Sequence, residues 1–223
     1  MSFRRLSGAF AVALLVAATA VGSSLAVGGA SPARVLAAEK KLASQRLSHL
    51  RVRAAAPMAG YSRDRFGPAW EDVDHNGCDT RNDILRRDLV RIRYRSGSDC
   101  LIASGLLHDP YTGRTIHFLR GVGTSTAVQI DHVVALADAW RTGARTWAAA
   151  KRLRYANDPL VLLAVDGPEN ESKSDDDASE WLPPRKAYDC RYVVKQIAIK
   201  TAYGLWVTPT EKAAMRGVLA HCS

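Results

Sequence analysis

The spacing of apolar and polar residues divides the chain into short strands and helices. Residues 90–95 alternate between apolar side chains and arginines, a two-residue period that is typical of a strand with one basic face. The unbroken apolar run 160–165 predicts a buried strand, and 192–203 has helical spacing. No internal repeat is visible. The whole pattern predicts strands at 90–95, 100–107, 115–119, 128–130 and 160–165, and helices at 32–50, 80–88, 136–142, 147–155, 167–181, 192–203 and 209–220.

Capping and turn residues support several of these boundaries. Asp79 or Thr80 can cap the helix 80–88, and Gly204 is a usual residue just past a helix end. The segment 208–211 reads Thr-Pro-Thr-Glu, a capping box with proline at the first helical position. The segment 109–113 contains the proline, glycine and aspartate of a turn between two strands.

Residues 1–26 have the features of a secretory signal peptide. Arg4 and Arg5 begin it, an uncharged apolar run follows at 8–21, and small residues flank a cleavage site at 24–26. The apolar run is shorter than the roughly 20 residues that span a bilayer. We therefore expect a secreted protein without stable membrane insertion, and an uncleaved membrane anchor is the alternative.

The segment after the leader, 27–58, is rich in alanine and basic residues. A helix is predicted within it at 32–50, where leucines form only a partial apolar stripe. We expect this segment to be a loosely packed basic arm, and we expect the compact domain to comprise residues 59–223.

The four cysteines agree with export. Cys78, Cys100, Cys190 and Cys222 all follow the leader, and an even number of cysteines in an exported chain predicts disulfides. Three pairings are possible, and we expect Cys78–Cys100 and Cys190–Cys222 because each joins neighbouring segments. The wide spacing, without a CxxC pair, argues against a zinc site.

Charge adds a candidate class of partner. The chain has 31 Lys and Arg against 22 Asp and Glu, a net charge of +9, and 47% of its residues are hydrophobic. That apolar fraction excludes a disordered tail. Arg4 and Arg5 account for only part of the excess, so the mature chain is basic. A polyanionic partner is indicated: nucleic acid, an anionic membrane or an acidic polymer.

The residues best suited to catalysis lie between 129 and 184. Asp131 and His132 stand at the end of a predicted strand, and Asn170 lies near the start of the helix after the next strand. Histidine suits the deprotonation of water near neutral pH, and a carboxylate with an amide carbonyl suits a hard divalent cation. Such a cation stabilises the charge that develops on a phosphate, so the group predicts phosphodiester hydrolysis. Helix capping is the ordinary structural role of a residue such as Asn170.

A set of short motifs runs from residue 60 to residue 184. They occupy 60–63, 76–83, 109–113, 129–135, 157–160, 162–168, 170, 172–173 and 180–184. This set resembles the secreted actinobacterial HNH endonuclease family, which is related to the C-terminal domain of the GmrSD restriction enzymes. The resemblance implies an α+β fold with a ββα-metal (His-Me finger) core, an added antiparallel β-sheet and C-terminal helices. It also implies metal-dependent cleavage of nucleic acid.

The family pattern assigns roles to individual residues. His132 matches the general base, and Asp131 and Asn170 match the metal ligands. Asn157 lies where such sites place an asparagine that orients the catalytic histidine. The family commonly has a second asparagine at the position of Val161, so either Asn157 alone does this work or the site is weakened.

Two further positions follow from the same comparison. Lys173 is a candidate substrate contact to phosphate, and a solvated helix residue is the alternative. Ala135 replaces a proline of the family pattern, a change that we expect to be tolerated.

A calcium loop is a separate possibility. Asp72, Asp74, Asn76 and Asp83 follow the 1, 3, 5, 12 ligand spacing of such loops, with Gly77 at the sixth position. Aspartate rather than glutamate at the last position reaches less easily with both oxygens. A polar turn leading into the next helix is the ordinary alternative.

These observations predict a secreted endonuclease that uses one divalent cation, Mg²⁺ or Mn²⁺, and acts on nucleic acid, with DNA favoured over RNA. The first alternative is a secreted nucleic-acid-binding protein with a degenerate, inactive HNH fold. A second is an antibacterial effector nuclease, which has the same chemistry and a different biological target.

Overall fold

The computed structural model describes residues 32–222, and the predicted signal peptide lies outside the described residues. Seven α-helices and five β-strands form this part of the chain, joined by short 3₁₀ turns. In chain order they are α1 (Pro32–His49), α2 (Thr80–Asp88), β1 (Leu89–Tyr94), β2 (Ile102–His108), β3 (Thr115–Leu119), β4 (Val128–His132), α3 (Leu136–Arg141), α4 (Ala149–Asn157), β5 (Leu162–Asp166), α5 (Gly167–Lys173), α6 (Asp189–Tyr203) and α7 (Pro209–His221). The prediction of a mixed α+β fold is confirmed.

The larger sheet is antiparallel, in the order β1-β2-β3. The predicted alternation in β1 is interrupted at Arg91, which has a positive φ of 52° beside a shift in strand register. Leu89 and Ile92 both face Gly105, where an added Cβ would lie 3.1 and 3.3 Å from them. The expectation of a regular basic face is therefore wrong, because a bulge places apolar residues three apart on the inner side.

The smaller sheet pairs β4 with β5 in antiparallel register, and α5 follows directly. His132 pairs with Leu162 and Asp131 with Leu163, so strand β4 includes both residues. Helix α5 ends at Lys173 rather than near residue 181. Gly167 begins this helix where a Cβ would lie 2.0 Å from the carbonyl oxygen of Thr126, so only glycine permits this close approach.

Helix α1 belongs to the folded body. Ala43 and Leu47 are buried in the main apolar core, and the helix packs against α6 and α7. The Lys40 ammonium donates a hydrogen bond of 2.8 Å to the carbonyl oxygen of Cys222. The expectation of a loosely packed arm is therefore wrong for this helix, because its short leucine and alanine stripe is sufficient to pack on two helices.

Two apolar clusters stabilise the described residues. The larger surrounds α1, α6 and α7, and the smaller fills the space between the larger sheet, α2 and the smaller sheet. A buried cation, Lys200, joins three helices within the first: its ammonium lies 2.9 Å from Asp138 of α3 and 2.7 Å from Glu211 of α7. Since an unpaired buried charge is costly, this group ties α3, α6 and α7 together.

The expected disulfides are both formed, Cys78–Cys100 and Cys190–Cys222. The first anchors the loop before α2 to the start of β2, and the second joins the start of α6 to the end of α7. Between residues 32 and 222, no helix has the length and apolar character needed to cross a membrane.

Candidate active site

His132 ends strand β4 and is buried, with 8% of its surface exposed. Its Nε2 lies 2.9 Å from the carbonyl oxygen of Ala156. A carbonyl only accepts, so Nε2 carries the proton and donates, and Nδ1 is left with the lone pair of a neutral imidazole. Burial lowers the pKa of His132 to about 4, which keeps the ring neutral at physiological pH.

The side chain of Asp131 is held from both oxygens. The Tyr111 hydroxyl donates to Oδ2 over 2.5 Å, and the Lys173 ammonium donates to Oδ1 over 2.9 Å. Lys173 also donates to the carbonyl oxygen of His132, at 3.1 Å. Because Lys173 has no exposed surface and both its contacts are internal, it does not reach a substrate phosphate in this structure. The expected role of Lys173 is therefore corrected to that of a buried counter-ion.

Tyr111 is a site residue to which the turn and family motif at 109–113 assigns no role. It is fully buried among Trp181, Tyr188 and Tyr192. Burial, followed by the nearby charge of Asp131, raises the pKa of Tyr111 well above its usual value, so its hydroxyl stays protonated and donates. A large aromatic residue inside an otherwise polar turn is the sequence feature that could have indicated this buried role.

An open cavity of about 380 Å³ brings Asp131, His132 and Asn170 together. The Nδ2 of Asn170 donates to Gln129 over 2.7 Å, and Gln129 in turn donates to Glu171 over 2.7 Å. This chain of bonds holds the amide of Asn170, and its Oδ1 accepts no hydrogen bond from residues 32–222. The three residues line one cavity, and their joint role in catalysis stays a prediction.

The donors in this cavity suit a hard cation. A carboxylate from Asp131 and the amide oxygen of Asn170 are the oxygen ligands that Mg²⁺ and Mn²⁺ prefer, with water and substrate phosphate completing such sites. Residues 32–222 contain no group of three or more His, Cys, Asp or Glu arranged to hold a metal. The cavity therefore fits a cation that is held by few protein ligands. Such a cation would share the Asp131 carboxylate with Lys173.

Asn157 lies close to His132 but does not hold it. Its Nδ2 donates to the carbonyl oxygen of Leu153 over 3.0 Å, and the backbone carbonyl of Ala156 holds the imidazole instead. Asn157 and His132 both line a second cavity of about 220 Å³. Val161 is fully buried in the larger apolar cluster, and its carbonyl oxygen accepts a hydrogen bond from Val133. An apolar residue at 161 therefore fits its surroundings.

Arg63 was not singled out from the sequence, although it lies in one of the recognised motifs. It begins a 3₁₀ turn, Arg63–Phe66, which Phe66 anchors in the core. Arg63 is exposed and lines both cavities beside His132. No ion pair found within residues 32–222 uses its guanidinium. It is therefore a cation available to an anionic ligand at this site.

The residues of the predicted calcium loop are brought together as a hydrogen-bonded turn. Asp72 accepts bonds from the backbone of Asn76 and Gly77, and the Nδ2 of Asn76 lies 3.1 Å from Asp74 and 3.2 Å from Asp83. An amide nitrogen thus occupies the place that the spacing assigns to a ligand oxygen. Calcium binding here stays a prediction from the sequence.

Comparisons with known proteins agree with the resemblance at the level of the family. Residues 79–218 match the family described as GmrSD restriction endonucleases, C-terminal domain. A protein of Arthroderma benhamiae described as an uncharacterized secreted protein is 39% identical over 178 residues, which cover 79% of this chain and 82% of that protein. No solved structure matches. The secreted relative and the two disulfides confirm the expectation of an extracellular protein. Since the family match covers more than half of the chain, the protein belongs to the nuclease-related family of GmrSD restriction endonuclease C-terminal domains.

Proposed function

We propose that this protein is a secreted, metal-dependent HNH endonuclease that hydrolyses phosphodiester bonds of nucleic acid, with DNA favoured over RNA. The observation that carries the proposal is the state of His132. A backbone carbonyl binds its Nε2, burial keeps the ring neutral, and the same ring borders the cavity that Asp131 and Asn170 line. The β4–β5–α5 order is what a ββα-metal core requires, and the family match supports a nuclease.

In the proposed reaction, Nδ1 of His132 accepts a proton from a water molecule as its oxygen bonds to phosphorus. The bond from phosphorus to the leaving oxygen breaks, and this oxygen takes a proton from solvent. His132 then returns its proton to solvent. General-base help of this kind contributes roughly 10²- to 10⁴-fold to the rate.

Arg63 is the residue that we assign to the phosphate. Its guanidinium presents several N–H donors with a fixed charge, a geometry that suits the non-bridging oxygens of a phosphodiester. It takes the role that the sequence comparison gave to Lys173, whose ammonium is occupied by Asp131.

Asp131 and Asn170 are the residues that would hold the divalent cation, Mg²⁺ or Mn²⁺. When bound, it supplies positive charge where negative charge develops on the phosphate and the leaving oxygen. Tyr111 and Lys173 each donate to one oxygen of the Asp131 carboxylate, so its orientation is fixed without the cation.

Incubation of plasmid with the purified mature protein tests the proposal. We expect cleavage with Mg²⁺ or Mn²⁺, none with EDTA, and none with His132→Ala, whose circular dichroism should match the wild type. The matched control is His117→Ala, an exposed histidine on β3, which should cleave normally. Full activity of His132→Ala would contradict the mechanism. Binding without cleavage by the wild type would instead favour a degenerate binding protein, the alternative for which Val161 is the sequence signal.

A further inference from the structure

The cavity of about 220 Å³ beside His132 differs in character from the catalytic cavity. The catalytic cavity contains the polar residues Gln129, Asp131, Asn170, Glu171 and Asp175. The smaller cavity is mostly apolar, with Phe66, Pro68, Ala69, Trp70, Leu136 and Ala156 in its wall. The two share Arg63, His132 and Leu136, so they meet where the phosphate is placed in the proposed function.

We propose that this smaller cavity, which we call the Trp70 pocket, binds the base of a nucleotide that adjoins the scissile phosphate. The proposal rests on the proposed function and adds a binding subsite to it. A phosphodiester substrate carries a charged phosphate next to a flat, largely apolar base. The adjoining polar and apolar cavities match that order of groups.

Trp70 supplies the surface for the base. Its indole is half-buried and lies nearly parallel to the imidazole of His132, with an interplanar angle of 16° and 6.3 Å between ring centroids. Stacking of bases on aromatic side chains is the usual way in which proteins bind unpaired nucleotides. A base stacked on Trp70 would therefore lie nearly parallel to the imidazole of His132.

The loop that carries Trp70 is held in a costly conformation. Trp70 has a φ of 62°, in the left-handed region that bulky residues rarely adopt. Gly67 also has a positive φ, and a Cβ there would lie 2.6 Å from Leu153 Cδ1, so the loop is pressed against helix α4. Strain of this kind is characteristic of ligand-binding and catalytic segments.

A buried polar atom in the pocket wall has no partner. Asn157 is only 1% exposed, and its Oδ1 accepts no hydrogen bond from the described residues. Such an acceptor is destabilising in an apolar environment. Every nucleobase carries at least one N–H donor, and a base in this pocket would supply the missing bond.

The volume of the Trp70 pocket suits a single nucleobase rather than a complete nucleotide. Pockets for whole small-molecule ligands usually measure about 300–1,000 Å³. At about 220 Å³ the pocket is too small for a complete nucleotide, whereas together with the catalytic cavity it accommodates base, sugar and phosphate. The shared Arg63 then lies at the position of the phosphate.

Binding of small phosphates tests the pocket without any need for cleavage. Dissociation constants are measured by saturation-transfer NMR for thymidine 5′- and 3′-monophosphate and for 2-deoxyribose 5-phosphate, which lacks the base. We expect one of the nucleotides to bind the wild type roughly 5- to 150-fold more tightly than the sugar phosphate, the effect of stacking one base. Trp70→Ala should abolish this preference, and Trp70→Phe should keep most of it. Tyr94→Ala, which removes an exposed aromatic ring from β1, is the matched control and should bind as the wild type does.

Two results would overturn the proposal: equal binding of nucleotide and sugar phosphate by the wild type, or an unchanged preference in Trp70→Ala. Circular dichroism of each variant shows whether a lost preference for the nucleotide reflects unfolding. Trp70→Phe keeps an aromatic ring at this position, so loss of the preference in a folded Trp70→Phe variant would also contradict stacking. Failure of the proposed function would give a different result: the plasmid would stay intact, while the preference for nucleotide over sugar phosphate persisted.

Discussion

Substitution of Lys173 by methionine provides a direct test of the site as described. The ammonium of Lys173 has no exposed surface and lies 2.9 Å from Asp131, whose side chain is 5% exposed. Methionine keeps most of the apolar length of the lysine side chain and removes the ammonium, with its charge and its hydrogen bonds to Asp131 and to the carbonyl oxygen of His132. Asp131 then remains as a buried carboxylate with Tyr111 as its donor.

The expected loss is large because one partner of a buried ion pair is removed. Breaking such a pair typically costs about 3–5 kcal/mol, against about 0–1 kcal/mol for an exposed pair. In a domain of this size, such a loss lowers Tm by roughly 6–20 °C. Urea unfolding in EDTA, followed by tryptophan fluorescence, measures the free energy directly.

Two variants make the result specific. The double variant Asp131→Asn with Lys173→Met leaves no unpaired charge and should recover most of the loss. Lys186→Met breaks a Lys–Asp pair of 3.7 Å whose lysine is 75% exposed, and it should cost less than about 1 kcal/mol. The reasoning is refuted if Lys173→Met loses no more than Lys186→Met, since Lys173 would then not be a buried counter-ion.

Three further predictions concern other parts of the molecule. Arg63→Met should lower kcat/KM for plasmid cleavage roughly 10- to 100-fold, the effect of one charged hydrogen bond, while Arg65→Met on the same turn should have little effect. Burial raises the pKa of Glu211 above its ordinary 4.5, so the folded protein holds a proton that the unfolded chain releases. Stability should therefore fall as pH rises above 4.5, and Glu211→Gln should flatten this slope in urea titrations at pH 4.5 and 7; an unchanged slope would exclude Glu211 as its source. Replacing both Cys190 and Cys222 by serine opens a disulfide that joins residues 32 apart, and it should lower the free energy of unfolding by about 3–4 kcal/mol on the chain-entropy estimate. The loss would be measured as a lower urea midpoint, and an unaltered midpoint would contradict it.

Local patterns are sufficient for the elements that position the candidate active site. The spacing predicts both the apolar strand before Asp166 and the short strand that leads to Asp131 and His132, and the structure pairs them. The place of Asn170 on the following helix was also predicted. These features depend on neighbouring residues, whose periodicity is visible along the chain.

Contacts between distant segments required the tertiary structure. Lys173 pairs with a carboxylate 42 residues earlier, and Tyr111 reaches the same carboxylate from a turn. Whether a lysine points to solvent or to a buried carboxylate depends on the helix face that packs inward, and this face is decided by the rest of the fold. The same reason explains why Trp70 was not expected beside His132.

The sequence by itself therefore determined the α+β class, the disulfide pairs, export and the residues that could perform catalysis, because each of these depends on residue type, count or local spacing. Only the tertiary structure decided how the charges are used: Lys173 neutralises Asp131, a backbone carbonyl holds His132, and Arg63 lines the cavity without an ion pair to any of residues 32–222. Burial sets the cost of an unpaired charge, and burial arises only when segments far apart in the chain pack together.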